Sequence, residues 1–505
     1  MLRHLVSAVA AIVLVPSASW AEWREVETAH FLIISESPPA QIEKFAERLE
    51  SYDKLMRMAT GIAEDDPVKV RIYEVASTAE IEQALGVSQT GIAGFYDNNI
   101  LGPFAVTPRK TNGGGRYFTP ELVLHHEYAH HFMLQYFPAI YPGWYTEGFA
   151  ELIGSSQTLD DGRIGYGMPA KQRGNEIAAN WVPLTELLVQ EKVKFLDTYA
   201  QGWAMTHFFT FDKTRAGQLR KYLTALGNGA SYADASKVFG DLGTLNREAR
   251  RYVTSGSFEY KPVKVDIVRP VIKGSRVLSA GEAALISQTI AFRDDEVSLY
   301  RQAGARKREE ALRQGNLDRI RDKAARYPTD PYALYLLAEG EYVAGDYERS
   351  AAAADRLLAL QPNHVRGLAR KSILVSQVAS RLSGAARQAK AAEARALAVK
   401  ANRIDKGDPL PLLAYFQSFN LSGEKPSAAA VEGLFQVVSM LPRDNGARQL
   451  LVDQLARDRR FDEAMGWLLP IANSPHESPR RDAAREQMEK LKAAKAGGKA
   501  AAVGA

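Results

Sequence analysis

Four of the nine histidines in this chain fall within seven positions, residues 125–131, which read His-His-Glu-Tyr-Ala-His-His. His126 and His130 are four residues apart, so on a helix they lie one above the other on one face. Their ring nitrogens can converge on one zinc ion, and Glu127 can reach a metal-bound water without ligating the metal. This spacing predicts a zinc site at which Glu127 acts as the general base for hydrolysis.

A catalytic zinc needs a third protein ligand and one open coordination position. Fourteen residues after His130 the chain reads Trp144-Tyr-Thr-Glu147-Gly-Phe-Ala-Glu151. In this W-x-x-E-G-x-A context the chain resembles the gluzincin metallopeptidases, the group that includes thermolysin and the aminopeptidase N family. The resemblance implies that Glu147 is the third ligand of a single Zn²⁺. It also implies that Glu151, one turn on, orients a ligand histidine without touching the metal.

A second stretch, Tyr199-Ala-Gln-Gly-Trp-Ala204, resembles the Tyr-x-x-Gly helix start of aminopeptidase-type gluzincins. There a tyrosine hydroxyl stabilises the tetrahedral oxyanion, and the resemblance gives this role to Tyr199. The G-x-M-E-N motif that binds a free amine in the aminopeptidases does not occur in residues 22–118, which argues against strict aminopeptidase activity. Residues 100–106 correspond to the edge strand that gluzincins pair with an extended peptide, so the resemblance implies an endopeptidase.

Each of these residues also has an interpretation without catalysis. The clustered histidines can simply be hydrogen-bonded within a helix, and Tyr199 can be a core residue. Glu151 can be a solvated carboxylate or can pair two helices. His125 and His131 need no contact with metal or substrate, and His207 is more typical of a core or surface histidine.

The composition is that of a globular protein with several domains. The chain has 505 residues, which is too long for one hydrophobic core, and 46% of them are hydrophobic and 24% charged. The net charge is +5 without a basic stripe carrying interleaved aromatic residues, so we expect no nucleic acid as a partner. The chain has no cysteine, which excludes disulfides, thiol catalysis and cysteine-ligated metals.

Residues 1–21 have the pattern of a secretory signal peptide. An apolar run over residues 5–15 follows Arg3, and Ser19 and Ala21 fit the −3 and −1 positions of a signal-peptidase site. An uncleaved membrane anchor is the alternative. No later segment reaches the roughly 18 consecutive apolar residues of a transmembrane helix. We therefore expect no stable membrane insertion and an exported protein, periplasmic in a Gram-negative bacterium and otherwise secreted.

Hydrophobic periodicity divides the rest of the chain. Residues 22–118 alternate strand-like and helical patterns and form an N-terminal α/β part. Residues 119–256 are helical and carry the zinc motif, and residues 257–299 form a connector.

Residues 300–489 resemble tetratricopeptide repeats. One helix–turn–helix unit runs from Pro331 to Pro362, and residues 460–470 echo its second half. Such repeats imply a concave surface that binds a protein partner. Residues 490–505 are rich in Lys, Ala and Gly and are expected to be disordered.

Together these patterns predict an α+β protein, in which an N-terminal mixed α/β and helical gluzincin-type metallopeptidase domain precedes an all-α tetratricopeptide-like helical repeat domain. The predicted function is zinc-dependent hydrolysis of peptide bonds in a peptide or protein substrate, with Glu127 as general base. The alternative is a non-catalytic or non-peptide-hydrolysing envelope scaffold that binds partners through its repeats. The peptidase is favoured because His126, Glu127, His130 and Glu147 are all present. Metallopeptidase-like proteins that no longer cleave tend to lose the glutamate base first.

Overall fold

The protein is described by a computed structural model, which covers residues 22–63, 68–87, 92–99, 102–110, 119–137, 141–173, 176–177, 180–189, 197–265, 271–292, 303–442, 444–472 and 479–497. The predicted signal peptide, the glycine loop at residues 113–115 and residues 498–505 lie outside these ranges. Within them, no helix combines the length and apolar character that crossing a membrane requires.

The N-terminal region is built on a mixed sheet. A second, smaller sheet has three strands and lies in the chain before the last strand of the large sheet. The strands are β1 (Arg24–Glu27), β2 (Phe31–Ser35), β3 (Val70–Ser77), β4 (Phe95–Asn99), β5 (Gly102–Lys110), β6 (Gln157–Thr158), β7 (Ile164–Tyr166), β8 (Lys261–Val263) and β9 (Gly274–Val277). The large sheet has the order β4-β5-β3-β2-β1-β9, with β2, β3 and β5 parallel and the other pairs antiparallel.

Ten helices whose bounds the structure describes belong to the first half of the chain. They are α1 (Pro39–Thr60), α2 (Thr78–Leu85), α3 (Pro120–Tyr136), α4 (Gly143–Gly154), α5 (Leu184–Leu187), α6 (Asp197–Phe211), α7 (Gln218–Gly227), α8 (Tyr232–Ser236), α9 (Leu242–Ser255) and α10 (Ala280–Ile290). The amphipathic stripe of α1 is buried at Ile42, Phe45 and Leu49, and the helix ends at Gly61, whose φ of 75° is left-handed. This helix and α3 share one hydrophobic core with strands β2 and β3.

The sequence prediction of an edge strand at residues 100–106 is wrong. Strand β5 lies inside the sheet, paired with β3 on one side and β4 on the other, and β4 is the edge. The burial pattern explains the interior position of β5, because residues 102–108 are all buried and do not alternate between buried and exposed. A continuous buried run is typical of a strand covered on both faces, which an edge strand open to a peptide is not.

The second half of the chain is a stack of helices. The helices are α11 (Ala303–Arg326), α12 (Pro331–Val343), α13 (Tyr347–Leu360), α14 (Val365–Ser380), α15 (Gly384–Ile404), α16 (Pro409–Ser422), α17 (Ala428–Met440), α18 (Asn445–Arg457), α19 (Phe461–Ala472) and α20 (Pro479–Gly497). Each packs against the next along the chain. Small residues such as Ala398 and Ala401 are fully buried where the helices meet. A mixed α/β region is thus followed by a helical repeat region.

Candidate metal centre

The histidine motif lies on α3, as predicted. Thr119 caps this helix, because its side-chain oxygen accepts a hydrogen bond from the Leu122 amide at 3.2 Å, and Pro120 occupies the first turn. Behind the motif, the Tyr128 hydroxyl donates to Asp53 Oδ1 of α1 at 2.5 Å. Arg57 Nε donates to the other oxygen of Asp53 at 2.6 Å. These buried bonds fix the rotation of α3, so that its other face is presented to α4.

Three predicted ligands meet at this face. His126 Nε2 lies 3.1 Å from His130 Nε2. Glu147 Oε2, from α4, lies 3.2 Å from His126 Nε2 and 3.5 Å from His130 Nε2. Within the described residues, this is the group of His, Asp and Glu side chains whose ligand atoms are close enough to share a metal ion.

The spacing of the three atoms fits zinc. Two ligands about 2.0–2.1 Å from a tetrahedral zinc ion are about 3.3–3.4 Å apart, which lies within the 3.1–3.5 Å range of the three contacts seen here. Glu147 Oε2 is buried and makes no hydrogen bond among the described residues, although it is close to both rings. A buried carboxylate oxygen without a hydrogen bond calls for a cation or another donor. Two imidazoles and one carboxylate are a common zinc donor set, and they leave one coordination position open.

The charge balance of the site also suits a cation. Burial alone lowers the pKa of His126, but its contacts with Glu147 and Glu151 outweigh burial and raise that pKa to about 10. Burial likewise raises the pKa of Glu147, and the two histidines reverse this and hold it well below the usual carboxylate range. Binding of a divalent ion at this site would require the imidazoles in their neutral form, so it would be coupled to loss of a proton.

Glu151 lies behind the ligands, beside His126. Its Oε1 is 3.4 Å from His126 Nδ1, on the opposite side of the ring from Glu147. Arg173 Nη2 donates to the same oxygen at 2.7 Å. The pKa of Glu151 is lowered to about 2, because His126 and Arg173 outweigh the opposing effect of burial. Such a partner fixes the orientation and tautomer of a ligating histidine.

Arg173 is the residue of this site that sequence reasoning missed. It lies 22 positions from Glu151, in a short 3-10 turn over residues 171–173 with no motif around it. Its guanidinium also lies 4.8 Å from the centroid of the Tyr199 ring. No spacing rule links such a residue to the histidine helix, so only the folded chain shows it.

Tyr199 lies at the site, and its aromatic ring is beside the ring of His126. The ring lies nearly parallel to that of His126, with the centroids 5.8 Å apart and the planes 25° apart. Burial, with the nearby Glu147 carboxylate, raises the pKa of Tyr199 above its ordinary range.

Glu127 is half-buried on α3, on the side of Gly94 at the start of β4. The catalytic roles of Tyr199 and Glu127 remain predictions.

The other histidines have packing partners. The His125 ring stacks on Tyr52 with centroids 3.7 Å apart, and burial lowers its pKa to about 3. His131 Nδ1 is 3.0 Å from the Tyr96 hydroxyl. His207 is fully buried, with its two ring nitrogens 2.7 Å from the Tyr252 hydroxyl and 2.9 Å from the Gly167 carbonyl oxygen. These contacts account for the three histidines as structural residues.

Two glycines set how α4 and α6 cross. A Cβ atom added at Gly148 would lie 2.3 Å from the Gly202 carbonyl oxygen, and one added at Gly202 would lie 2.3 Å from that of Trp144. Only glycine permits such an approach. The crossing brings both Glu147 and Tyr199 beside His126. Trp144 itself is buried in the core of the neighbouring helices.

The comparisons with known proteins return helical repeat proteins. No protein-family model matches the chain, and no curated protein matches it. The chain is similar to a thermophilic tetratricopeptide-repeat protein of Thermus thermophilus, with 20% identity, 38% of this chain and 95% of that chain covered, and a TM-score of 0.31. It is also similar to yeast Tom70, with 11% identity, 72% of this chain and 69% of that chain covered, and a TM-score of 0.25.

The comparisons do not support the assignment of the chain to the gluzincin metallopeptidases, since no family model and no curated protein matches it, and that assignment is withdrawn. The gluzincin-type domain in the predicted fold class, and the classification as a hydrolase, a zinc endopeptidase, rested on that assignment and are withdrawn with it. Part of the resemblance rested on residues whose identities helix packing alone explains. Gly148 and Gly202, which carried part of the resemblance, are accounted for by one close helix crossing, and Trp144 by core packing.

Proposed function

We propose that the protein is a scaffold that binds protein partners through its helical repeats and carries a zinc ion in its N-terminal region. The observation that carries the proposal is the unbroken packing of α11 to α20, each helix on the next. A stack of this kind presents a long continuous surface, and repeat proteins use such surfaces for binding other proteins. The predicted signal peptide supports a place of action outside the cytoplasm.

The outer surface of the stack offers apolar contacts. Leu360 on α13, Val378 on α14 and Ile404 on α15 are each nearly half exposed, at 46%, 49% and 47%. Single exposed apolar residues are ordinary on any surface. Here they lie on three consecutive helices, which makes them suitable positions from which to sample a bound partner.

The zinc ion would be held by His126, His130 and Glu147. Three observations support this: the mutual distances of the ligand atoms, the buried Glu147 oxygen without a hydrogen bond, and the His126 partner Glu151. Bound there, zinc would neutralise the site and link α3 to α4, with its open position available to water or to a donor group of another molecule.

The scaffold proposal is tested by site-specific photo-crosslinking in the native host. A photoreactive phenylalanine analogue is placed at Val378 or Leu360, and at Met58 of α1 as the matched control, which is 51% exposed but outside the repeats. We expect discrete, reproducible protein adducts from the repeat positions and none from position 58. Adducts of equal pattern at all three positions, or none at any, would contradict the proposal.

The zinc proposal is tested by elemental analysis of the purified protein. We expect about one zinc ion per chain in the wild type, as a three-residue donor set with one metal requires. Glu147→Ala should lose it. Glu121→Ala, which removes an exposed glutamate from the first turn of α3, is the matched control and should retain it. Equal zinc contents in the two variants would exclude Glu147 as a ligand.

A further inference from the structure

A cavity of about 740 Å³ lies between the large sheet and the start of the helical repeats. Its walls come from β1, β2 and β3, from α10, and from the first turns of α12, α14 and α16. The volume lies in the range of small-molecule sites. None of the candidate zinc ligands lines this cavity, so a ligand bound here would be separate from the metal centre.

Three helices begin at this cavity. Tyr332 lies in the first turn of α12, His364 is the N-cap of α14, and Asp408 is the N-cap of α16. The N-terminus of a helix carries a partial positive charge of about half an elementary charge. Three such ends around one cavity favour a bound anion.

Tyr73 supplies a buried hydrogen-bond donor to the same cavity. The residue is 7% exposed, and its hydroxyl makes no hydrogen bond among the described residues, although the oxygen is not sealed from solvent. Burial raises the pKa of this hydroxyl, and the titratable groups that act on it next all line the same cavity: Tyr332, Arg71, Glu25 and Glu282. The hydroxyl therefore lies at the cavity wall, where it can donate to a ligand.

His364 and Lys273 supply two further donors. His364 Nδ1 accepts a hydrogen bond from the Gly367 amide at 3.0 Å, so the proton of the neutral ring lies on Nε2. Burial lowers the pKa of His364, which keeps the ring neutral. Nε2 has no acceptor within the described part of the chain. Lys273 is exposed, has no carboxylate partner among the described residues, and adds a full positive charge.

The carboxylates of the wall are mostly paired within it. The pairs are Arg276 with Glu25 and Glu282, Lys69 with Glu27, and Arg366 with Asp408. Five cationic and five acidic side chains line the cavity, so their formal charges cancel. The remaining carboxylate, Asp405, is exposed, and its Oδ1 accepts from the Gly407 amide. The helix ends and the three donors therefore decide which sign of charge the cavity favours.

We propose that this cavity binds a small organic phosphate, whose oxygens accept from Tyr73, His364 and Lys273 near the three helix ends. Phosphate is an anion that helix N-termini bind readily, and its oxygens accept several hydrogen bonds at once. The rings of Tyr332 and Tyr335 would contact the organic part. A cation would be repelled by the helix ends, and an uncharged ligand would gain nothing from them.

The test is isothermal titration calorimetry of the purified full-length protein with glycerol 3-phosphate as the probe. Glycerol and 3-amino-1,2-propanediol, which have the same carbon chain with a neutral or a cationic end, are the comparison ligands. We expect saturable one-site binding of glycerol 3-phosphate at pH 7.5, and at least tenfold weaker binding of the other two. Equal binding of glycerol would overturn the anionic class, and no binding of glycerol 3-phosphate up to 5 mM would overturn the site.

Inorganic phosphate tests whether the organic part contributes. It should bind at least threefold more weakly than glycerol 3-phosphate, because it makes no contact with the tyrosine rings. Equal binding of the two would overturn the organic part of the proposal.

Variants locate the binding. Tyr73→Phe keeps the ring and removes the hydroxyl, and Lys273→Gln removes the charge, so each should weaken the binding of glycerol 3-phosphate at least threefold. Lys44→Gln, at an exposed lysine of α1 that does not line the cavity, should leave binding unchanged. The unfolding temperature shows that each variant is folded. Binding that is unchanged in folded Tyr73→Phe and folded Lys273→Gln would place the ligand elsewhere, such as at the metal centre, and overturn the proposal.

Discussion

His126 and Glu151 form the link between the three candidate ligands and the rest of the N-terminal region. His126 turns one ring nitrogen to Glu147 and the other to Glu151, at 3.2 Å and 3.4 Å. Glu151 is in turn held by Arg173. The ring is therefore held from both sides before any metal arrives. An arrangement that is fixed in advance loses little conformational entropy when it binds an ion.

The first prediction concerns Arg173. Replacing it with Gln removes the charged partner of Glu151 and the cation over the Tyr199 ring. If the proposed zinc site is correct, we expect zinc affinity to fall about 10–100-fold, the usual cost of losing such a supporting contact. Competition with a chromophoric chelator measures it. Arg163→Gln, which removes an exposed arginine paired with Asp161, is the control and should match the wild type.

The second prediction concerns the crossing of α4 and α6. Gly148→Ala would place a methyl group 2.3 Å from the Gly202 carbonyl oxygen, so the helices must move apart. We expect a loss of about 1–3 kcal/mol or more, as for other overpacked cores. Thermal unfolding followed by circular dichroism shows it as a lower midpoint. Gly466→Ala, inside α19 with no atom near the added Cβ, should raise the midpoint or leave it unchanged.

The third prediction concerns the ion pair between Glu339 of α12 and Arg370 of α14. Both side chains are fully buried, and Arg370 Nε donates to Glu339 Oε1 at 2.9 Å. Arg370→Met leaves the carboxylate buried without its partner and should cost about 3–5 kcal/mol. Adding Glu339→Leu should restore most of that loss. A double variant as unstable as the single one would show that the pair contributes more than it costs to bury.

An exposed ion pair serves as the comparison for that experiment. Lys390 and Glu393 on α15 are 2.7 Å apart, with 43% and 45% of their side chains exposed. Lys390→Ala should change the stability by no more than about 1 kcal/mol, because solvent screens the pair. A large loss at this surface position would mean that α15 is sensitive to substitution in general.

The fourth prediction is a pH dependence at His30. Burial alone lowers its pKa, but the hydrogen bond to Glu50 at 2.7 Å and the charges of Glu50 and Asp53 raise it above the ordinary value of 6.5. A raised pKa means that this contribution to stability is complete below pH 6.5 and is lost as the pH rises through the folded-state pKa. His30→Gln should therefore flatten the decline of the unfolding temperature above pH 6.5. An unchanged slope would contradict it.

The local structure of the N-terminal region could be read from the sequence. Residues 22–118 contain both strands and helices, such as β2, β3 and α1, as their mixed apolar patterns predicted, because one buried face is enough to produce a period of 3.6 or 2. The histidine spacing also predicted that His126 and His130 would meet. The edge position of β4 could not be predicted, since strand order depends on contacts between distant segments.

The histidine motif does not by itself specify the class of protein. The His126–His130 spacing states which atoms meet, and Gly148 and Gly202 state that two helices approach closely, but neither specifies an activity. Function resides in a site and not in a pattern of packing residues. Arg173 shows the converse, because it completes the candidate site without any sequence signal.

The proposal of a zinc-carrying scaffold, the non-catalytic alternative of the sequence analysis, is tested most directly with an unbiased peptide library. The zinc-loaded wild type and Glu127→Gln are incubated with the library, and the products are analysed by mass spectrometry. The account predicts that both proteins hold about one zinc ion, as a single three-ligand site requires, and that neither cleaves. Cleavage by the wild type that Glu127→Gln abolishes while retaining zinc would contradict the account.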